Sequence, residues 1–92
     1  MSEPANNRMD RMRSLLAALQ PTQIELIDDS HLHAGHAGAR SGGGHYRLII
    51  ASAQFRGLNT VARHRMIYSV LGEMMKHDIH ALNITASTPE EL

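Results

Sequence analysis

The 92-residue chain contains no cysteine and no tryptophan, and it has only one phenylalanine and two tyrosines. Without cysteine, it can form neither a disulfide framework nor a thiolate metal site of its own. With so few aromatic rings, it is poorly equipped to bind single-stranded nucleic acid by base stacking. An excess of one charge is also lacking, since nine basic residues balance nine acidic ones. This balance argues against a protein held on nucleic acid mainly by phosphate neutralisation.

Long hydrophobic segments and catalytic motifs are missing too. No stretch approaches the ~20 apolar residues that span a bilayer, and the opening segment MSEPANNRMD lacks an apolar leader. We therefore expect a cytoplasmic protein with no membrane partner. The chain has no phosphate-binding P-loop, no HExxH zinc motif and no serine in a nucleophile elbow. We expect it to act by binding rather than as an enzyme.

Histidine is the abundant reactive residue, with seven in the chain. Residues 29–44, DSHLHAGHAGARSGGG, hold His31, His33 and His36 together with five of the seven glycines. Almost nothing in this segment can pack in a core, so it is expected to be a loop of a length that is usually functional or disordered. His33 and His36 are spaced so that two imidazoles could bind one metal ion. The alternatives are a bare zinc or copper carrier that also uses His31, and a solvated polar loop.

Hydrophobic periodicity predicts one α/β domain with the element order helix, strand, strand, helix, strand. The elements are expected at residues 9–19, 23–28, 45–52, 60–76 and 79–86. The first two strands form a hairpin, and the helix that crosses between the second and third makes those two parallel, which gives a three-stranded mixed sheet. A capping box at residues 88–91, TPEE, predicts a short C-terminal helical turn. Residues 1–7 are expected to be a flexible N-terminus and residues 8–92 the single domain.

The second helix carries a cluster of basic side chains near its start. At 100° per residue, Arg63 and His64 lie on the same side as Ile67, whereas Arg65 points away. Arg63 is open to two interpretations, a phosphate contact and a side chain that fixes the helix to the sheet. The structural interpretation is favoured for His64, and a solvated or partner-facing position for Arg65.

His80 begins the third strand on the face that carries Leu82 and Ile84. One interpretation is a histidine hydrogen-bonded at the edge of the core. The other is a two-histidine edge, formed together with the histidine-bearing loop and suited to iron, zinc or copper.

Four segments together resemble the BolA family. They are DDSHLHAGHAG, HYRLIIAS, FRGLNTVARHRMIYSVLGEM and IHALNITASTPEE, so the resemblance runs from the first helix to Glu91. Its most specific parts are the turn at residues 55–57, the Arg-His-Arg run at 63–65 and the segment Ile-His-Ala-Leu at 79–82. The resemblance implies a class II KH-like α/β fold.

The resemblance also implies a heterodimer with a monothiol glutaredoxin that shares a [2Fe–2S] cluster. Carried over by position, His80 matches the cluster-ligating histidine and His33 the loop position of a second ligand, while His36 is an additional candidate. Imidazole replaces thiolate on one iron of Rieske clusters. Glutaredoxin's cysteine and glutathione would supply the sulfur ligands, so the isolated chain would bind no cluster.

A competing role implied by the resemblance is that of a DNA-binding transcription regulator. The candidate nucleic-acid contacts are Arg56, Arg63 and Arg65. A homodimer of the free protein stays open as a further association.

Overall fold

The computed structural model describes residues 4–30 and 44–92. Helix α1 spans Pro4–Leu16 and continues into a 3-10 turn at Ala17–Leu19. Proline suits the first position of a helix because the backbone N–H that it lacks would have no intrahelical acceptor there. The helix therefore begins before residue 8, and residues 4–7, which the sequence assigned to a flexible N-terminus, are helical. Gln20, in the left-handed conformation with φ 50°, ends this first helical segment.

Three strands form one sheet in the order β1, β2, β3. Their bounds are β1 Gln23–Asp28, β2 Gly44–Ala51 and β3 Ile79–Ser87. Strand β2 is antiparallel to β1, with Leu48 opposite Leu26, and parallel to β3, with Leu48 opposite Ile84. The predicted mixed sheet is confirmed. Because β2 and β3 are parallel, both strands start at the end of the sheet where β1 finishes.

The helical segment after β2 is divided in two, although the sequence predicted one helix through Lys76. Helix α2 spans Thr60–Leu71 and helix α3 spans Met74–His77. The Asn59 side chain caps α2 by accepting a hydrogen bond of 2.9 Å from the backbone N–H of Ala62. The break occurs at Gly72, whose φ of 54° and ψ of −123° are rarely adopted by residues with a side chain. Helix α3 then directs the chain into β3.

The hydrophobic core lies between the helices and one face of the sheet. Within β2, Tyr46, Leu48 and Ile50 are buried, whereas Arg47 between them is exposed, as expected when alternate side chains point to opposite faces. The other buried members of the core cluster are Met12, Leu16, Leu19, Leu26, Phe55, Ile67, Leu71, Met74 and Ile79. The predicted C-terminal turn is present as a 3-10 turn at Pro89–Glu91 that begins with a complete capping box. Across residues 4–30 and 44–92, the helices are too short or too polar to cross a lipid bilayer.

Gly72→Ala should destabilise the domain, because a methyl group at this backbone conformation is strained. We expect the free energy of unfolding to fall by about 1–3 kcal/mol, measured as a lower urea midpoint. Ser69→Ala, at an exposed position of the same helix, is the control and should change stability by less than about 0.5 kcal/mol. Equal midpoints for the two variants would contradict the assigned helix break.

Candidate functional site

His80 occupies an irregular position where β2 and β3 begin. Gly44 pairs with Ile79, but the next residue of β2, His45, pairs with Ala81. His80 is therefore one extra residue on β3, which constitutes a β-bulge. A bulge redirects the side chain of the extra residue. The bulge therefore interrupts the alternation of faces along β3, from which the sequence placed His80 on the same face as Leu82. The His80 side chain is exposed.

The bulge brings two histidine rings together. The ring centres of His45 and His80 are 4.9 Å apart, with their planes inclined by 39°. Two imidazoles bound to one tetrahedral metal ion at ~2 Å would have ring centres about 5 Å apart, so this spacing suits shared ligation. His45 is half-buried and its Nε2 atom is shielded from solvent, whereas His80 is exposed. His80 is therefore the member of the pair that an external group reaches first.

A shallow depression of about 250 Å³ lies beside this histidine pair. Its lining consists of Asp29, His45, Tyr46, Arg47, Ala81 and Asn83. Arg47 Nε donates a 2.5 Å hydrogen bond to Asp29 Oδ2, and this bond raises the pKa of the Arg47 guanidinium. Burial raises the pKa of the Tyr46 hydroxyl, so this phenol adds no negative charge at neutral pH. The histidine pair therefore lies beside a neutral ring and an internally compensated ion pair.

Hydrogen bonds fix both ends of the connection between β1 and β2. The backbone N–H of His45 donates to Ser30 Oγ at 3.0 Å, and the backbone N–H of Ser30 donates to Asp28 Oδ1 at 2.8 Å. The backbone N–H of Gly44 donates to the carbonyl oxygen of Asp78 at 3.0 Å. The histidine-bearing segment therefore leaves and rejoins the fold at the His45–His80 pair.

His33 and His36, like His31, lie outside the described residues, so their ligand roles remain predictions. Among residues 4–30 and 44–92, no three histidine or acidic side chains are grouped to hold a metal ion. Of the histidines in the described part of the chain, two meet at this site, His45 and His80. The sequence placed His45 at the start of the second strand and did not identify it as a site residue. The predicted parallel pairing of β2 and β3 places the two strand starts side by side, but the contact of His45 with His80 also depends on the register shift, which the sequence pattern does not show.

The three candidate arginines differ in what they contact. Arg56 Nε donates to Glu90 Oε1 at 3.0 Å, and its Nη2 contacts Glu90 Oε2. Arg63 pairs with Glu91 through Nη1–Oε1 at 2.7 Å and Nη2–Oε2 at 3.2 Å. We call these two pairs the C-terminal clasp. Arg65 is exposed, as expected, and forms no ion pair with any other described residue.

Arg63 also has a structural role. Its Nε donates to the carbonyl oxygen of Leu58 at 2.9 Å and its Nη1 to that of Ala86 at 3.0 Å. These bonds join the start of α2 to the end of β3, and the Arg63 side chain is only 13% exposed. His64 is half-buried, with its ring centre 6.4 Å from that of Tyr68. The interpretation that Arg63 fixes the helix to the sheet is confirmed.

Comparison with known proteins bears directly on this arrangement. The family model described as BolA-like protein matches residues 15–91. The chain belongs to the BolA-like protein family. Its resemblance to that family, noted in the sequence, is therefore confirmed for most of the chain.

Individual members of the family agree in sequence and in structure. SufE-like protein 1, chloroplastic/mitochondrial, of Arabidopsis thaliana is 43% identical over 79 residues, which cover 80% of this chain and 21% of that protein. The DNA-binding transcriptional regulator BolA of Haemophilus influenzae is 40% identical over 72 residues, covering 78% of this chain and 67% of the regulator. The solved BolA domain of SufE1 from Arabidopsis thaliana superposes with a TM-score of 0.81 at 42% identity, covering 92% of this chain and 95% of that domain. This BolA-like chain spans about a fifth of SufE-like protein 1.

Within this BolA-like fold, the clasp lowers the pKa values of two carboxyl groups. The hydrogen bond from Arg56 lowers the pKa of Glu90 to about 2. The hydrogen bond from Arg63, followed by the one from the backbone N–H of Thr88, lowers the pKa of Glu91 to about 2. Both carboxyl groups are therefore ionised throughout the physiological pH range.

The clasp should open at low pH, with Glu90 and Glu91 titrating near pH 2 in carboxyl NMR spectra. Since their folded pKa values lie below the unfolded ones, the clasp stabilises the BolA-like domain above the ordinary carboxyl pKa. This stabilisation is lost as the pH falls through about 2. Arg56→Gln should return the pKa of Glu90 towards 4.5 and leave that of Glu91 low. A Glu90 pKa near 4.5 in the unsubstituted protein would contradict the pairing.

Proposed function

We propose that this BolA-like chain is a cytoplasmic adaptor that forms a heterodimer with a monothiol glutaredoxin and shares a [2Fe–2S] cluster with it. Its role would lie in iron–sulfur cluster assembly or trafficking, or in iron regulation, and not in catalysis. The observation that carries the proposal is the exposed imidazole of His80, presented by a bulge against the ring of His45. Membership of the family that the sequence resembles adds support.

The chemistry of the donors suits a shared cluster and not a resident one. A [2Fe–2S] cluster takes four ligands, usually thiolates, and imidazoles replace two of them on one iron in Rieske centres. This chain has imidazoles but no thiolate. It would therefore depend on the partner's cysteine and on glutathione for sulfur ligands, and the isolated chain would hold no cluster. When bound, the cluster would supply redox and iron-carrying chemistry.

The residues of this chain divide that task. His80 would be the ligand, because its ring is exposed at the sheet end. His45 would restrict the orientation of the His80 ring through their contact. The backbone of His45 is itself held in place, because its N–H donates a hydrogen bond to Ser30 Oγ. The second ligand would come from His33 or His36. His45 is a further candidate because its ring lies so close to that of His80.

Reconstitution with a monothiol glutaredoxin, glutathione, iron and sulfide should yield a heterodimer with a new cluster spectrum. Because imidazole would replace a sulfur ligand, the visible absorption and circular dichroism should differ from those of the glutaredoxin homodimer. Size-exclusion chromatography would measure the complex, and the spectra its cluster. Failure to form a complex, together with spectra identical to those of the homodimer, would reject the proposal.

Substitutions in the same experiment separate ligation from partner affinity. His80→Ala should still form the cluster-free complex with glutaredoxin. The shared cluster, however, should become labile or return to the glutaredoxin homodimer. His33→Ala should have a smaller effect, and His33→Ala with His36→Ala a larger one than either alone. His77→Ala, at an exposed position just before β3, is the matched control and should leave the spectrum unchanged. If His80→Ala unfolds the domain or leaves the spectrum unaltered, His80 is structural.

Nucleic-acid binding is a second candidate function. It is favoured by the exposed guanidinium of Arg65 and by the Haemophilus relative, whose name is DNA-binding transcriptional regulator BolA. The balanced net charge weighs against it, as does the pairing of Arg56 and Arg63 with carboxylates. DNA binding that persists at physiological salt would support it.

A further inference from the structure

We propose that the C-terminal clasp is an intramolecular competitor for an anion-binding surface formed by Arg56 and Arg63. This inference rests on the second candidate function, nucleic-acid binding, and adds to it a means of regulation. In the closed state, Glu90 and Glu91 occupy the two guanidinium groups. Displacement of the C-terminal turn makes them available to the phosphodiester backbone of a nucleic acid.

The two carboxylates are held as phosphate oxygens would be. Each of the two guanidinium groups contacts both oxygens of one carboxylate, Arg56 those of Glu90 and Arg63 those of Glu91. This parallel, two-point geometry is the one by which arginine also recognises phosphate. Because Glu90 and Glu91 are adjacent in one short turn, a single displacement of that turn would uncover both guanidinium groups.

Arg63 would keep its orientation when the clasp opens. Its bonds to the carbonyl oxygens of Leu58 and Ala86 do not involve Glu91. They hold the guanidinium in place and leave the N–H groups that face Glu91 for another acceptor. The arginine is therefore preorganised for an incoming anion, which reduces the entropy lost on binding.

The C-terminal turn can be displaced without disturbing the core. No residue of the turn Pro89–Glu91 is buried, while Thr88 before it is only 5% exposed and remains an anchor. The side chains of Arg56 and Glu90 are each 58% exposed, and that of Glu91 is 49% exposed. An ion pair between exposed groups, such as that of Arg56 with Glu90, is weak and is screened by salt. A polyanion that offers several phosphates at once can therefore compete with two carboxylates.

Arg65, two residues after Arg63 on α2, is exposed in the closed state as well. The closed protein would thus contact DNA through Arg65, and the open protein through Arg56 and Arg63 in addition. The clasp would therefore set the strength of binding and its dependence on salt.

The test compares the full chain with the double variant Glu90→Gln, Glu91→Gln. Glutamine at position 91 preserves the capping box, which accepts glutamate or glutamine at that place, so the turn keeps its local structure but loses its charge. The matched control is Glu25→Gln with Glu73→Gln, which removes the same charge from exposed positions outside the clasp. The probe is a fluorescein-labelled DNA duplex of mixed sequence, and binding is followed by fluorescence anisotropy at several salt concentrations.

The clasp variant should bind the duplex more tightly than the unsubstituted chain at low salt. Because two more phosphate contacts are made, its affinity should fall about tenfold more between about 50 and 200 mM salt. The control should show the salt dependence of the unsubstituted chain. Glu90→Gln alone, which leaves the capping box intact, should show about half of the additional slope and provides a second variant if the double substitution disturbs the fold.

Two results would overturn the inference, and they differ in what they imply. If all proteins bind the duplex with the same affinity and salt dependence, or if the control gains as much as the clasp variant, the clasp is not a competitor, but nucleic-acid binding stands. If none binds, including the clasp variant, both the competitor and the nucleic-acid function are rejected. Complex formation with glutaredoxin by the clasp variant would show that the adaptor proposal is independent of either result.

Discussion

The pairing of β2 with β3 is the constraint on which the candidate site depends. A parallel pair in regular register would continue its alternation of faces through the first residues of both strands. Here one extra residue of β3 lies between the partners of Gly44 and His45, and that residue is His80. The bulge therefore determines both the exposure of His80 and its contact with His45. The hydrogen bonds from Gly44 to Asp78 and from His45 to Ser30 hold the surrounding backbone in place.

Strand β3 also separates the two candidate surfaces. His80 lies near the start of the strand, and Ala86, which accepts a hydrogen bond from Arg63, lies near its end. Six residues of extended chain correspond to about 20 Å. A partner at the histidine pair and a polyanion at Arg56 and Arg63 would therefore approach opposite ends of the sheet. The same small domain has room for a metal-sharing function and a nucleic-acid function without overlap of their sites.

Local sequence patterns were sufficient for much of the fold. The alternation around Ile24 and Leu26 predicted β1 with its observed bounds, and the Thr88–Glu91 pattern predicted the final turn because a capping box is a contact between near neighbours. The break at Gly72 was missed, since a single glycine is tolerated within a helical pattern and its conformation is set by the tertiary structure. The sequence correctly predicted that Arg63 and Arg65 point in different directions from α2, because the direction of a side chain on a helix follows from residue spacing alone.

Contacts between distant segments could not be read from the sequence. The pairing of Arg56 with Glu90 joins residues 34 positions apart, and nothing in either local sequence specifies the other. The contact of His45 with His80 depends on a register shift of one residue, which periodicity does not resolve. The sequence therefore identified His80 as a candidate but not His45, and it grouped three arginines of which two are engaged by carboxylates.

The central claim, that an imidazole of this chain binds the shared cluster, is tested most directly by electron–nuclear double resonance. The chain would be labelled with ¹⁵N-histidine, combined with unlabelled glutaredoxin and glutathione, and examined with the [2Fe–2S] cluster reduced. The account predicts a ¹⁵N hyperfine coupling of a directly bound imidazole that persists in His77→Ala and is lost or altered in His80→Ala. A reduced cluster in the heterodimer with no ¹⁵N coupling would contradict it.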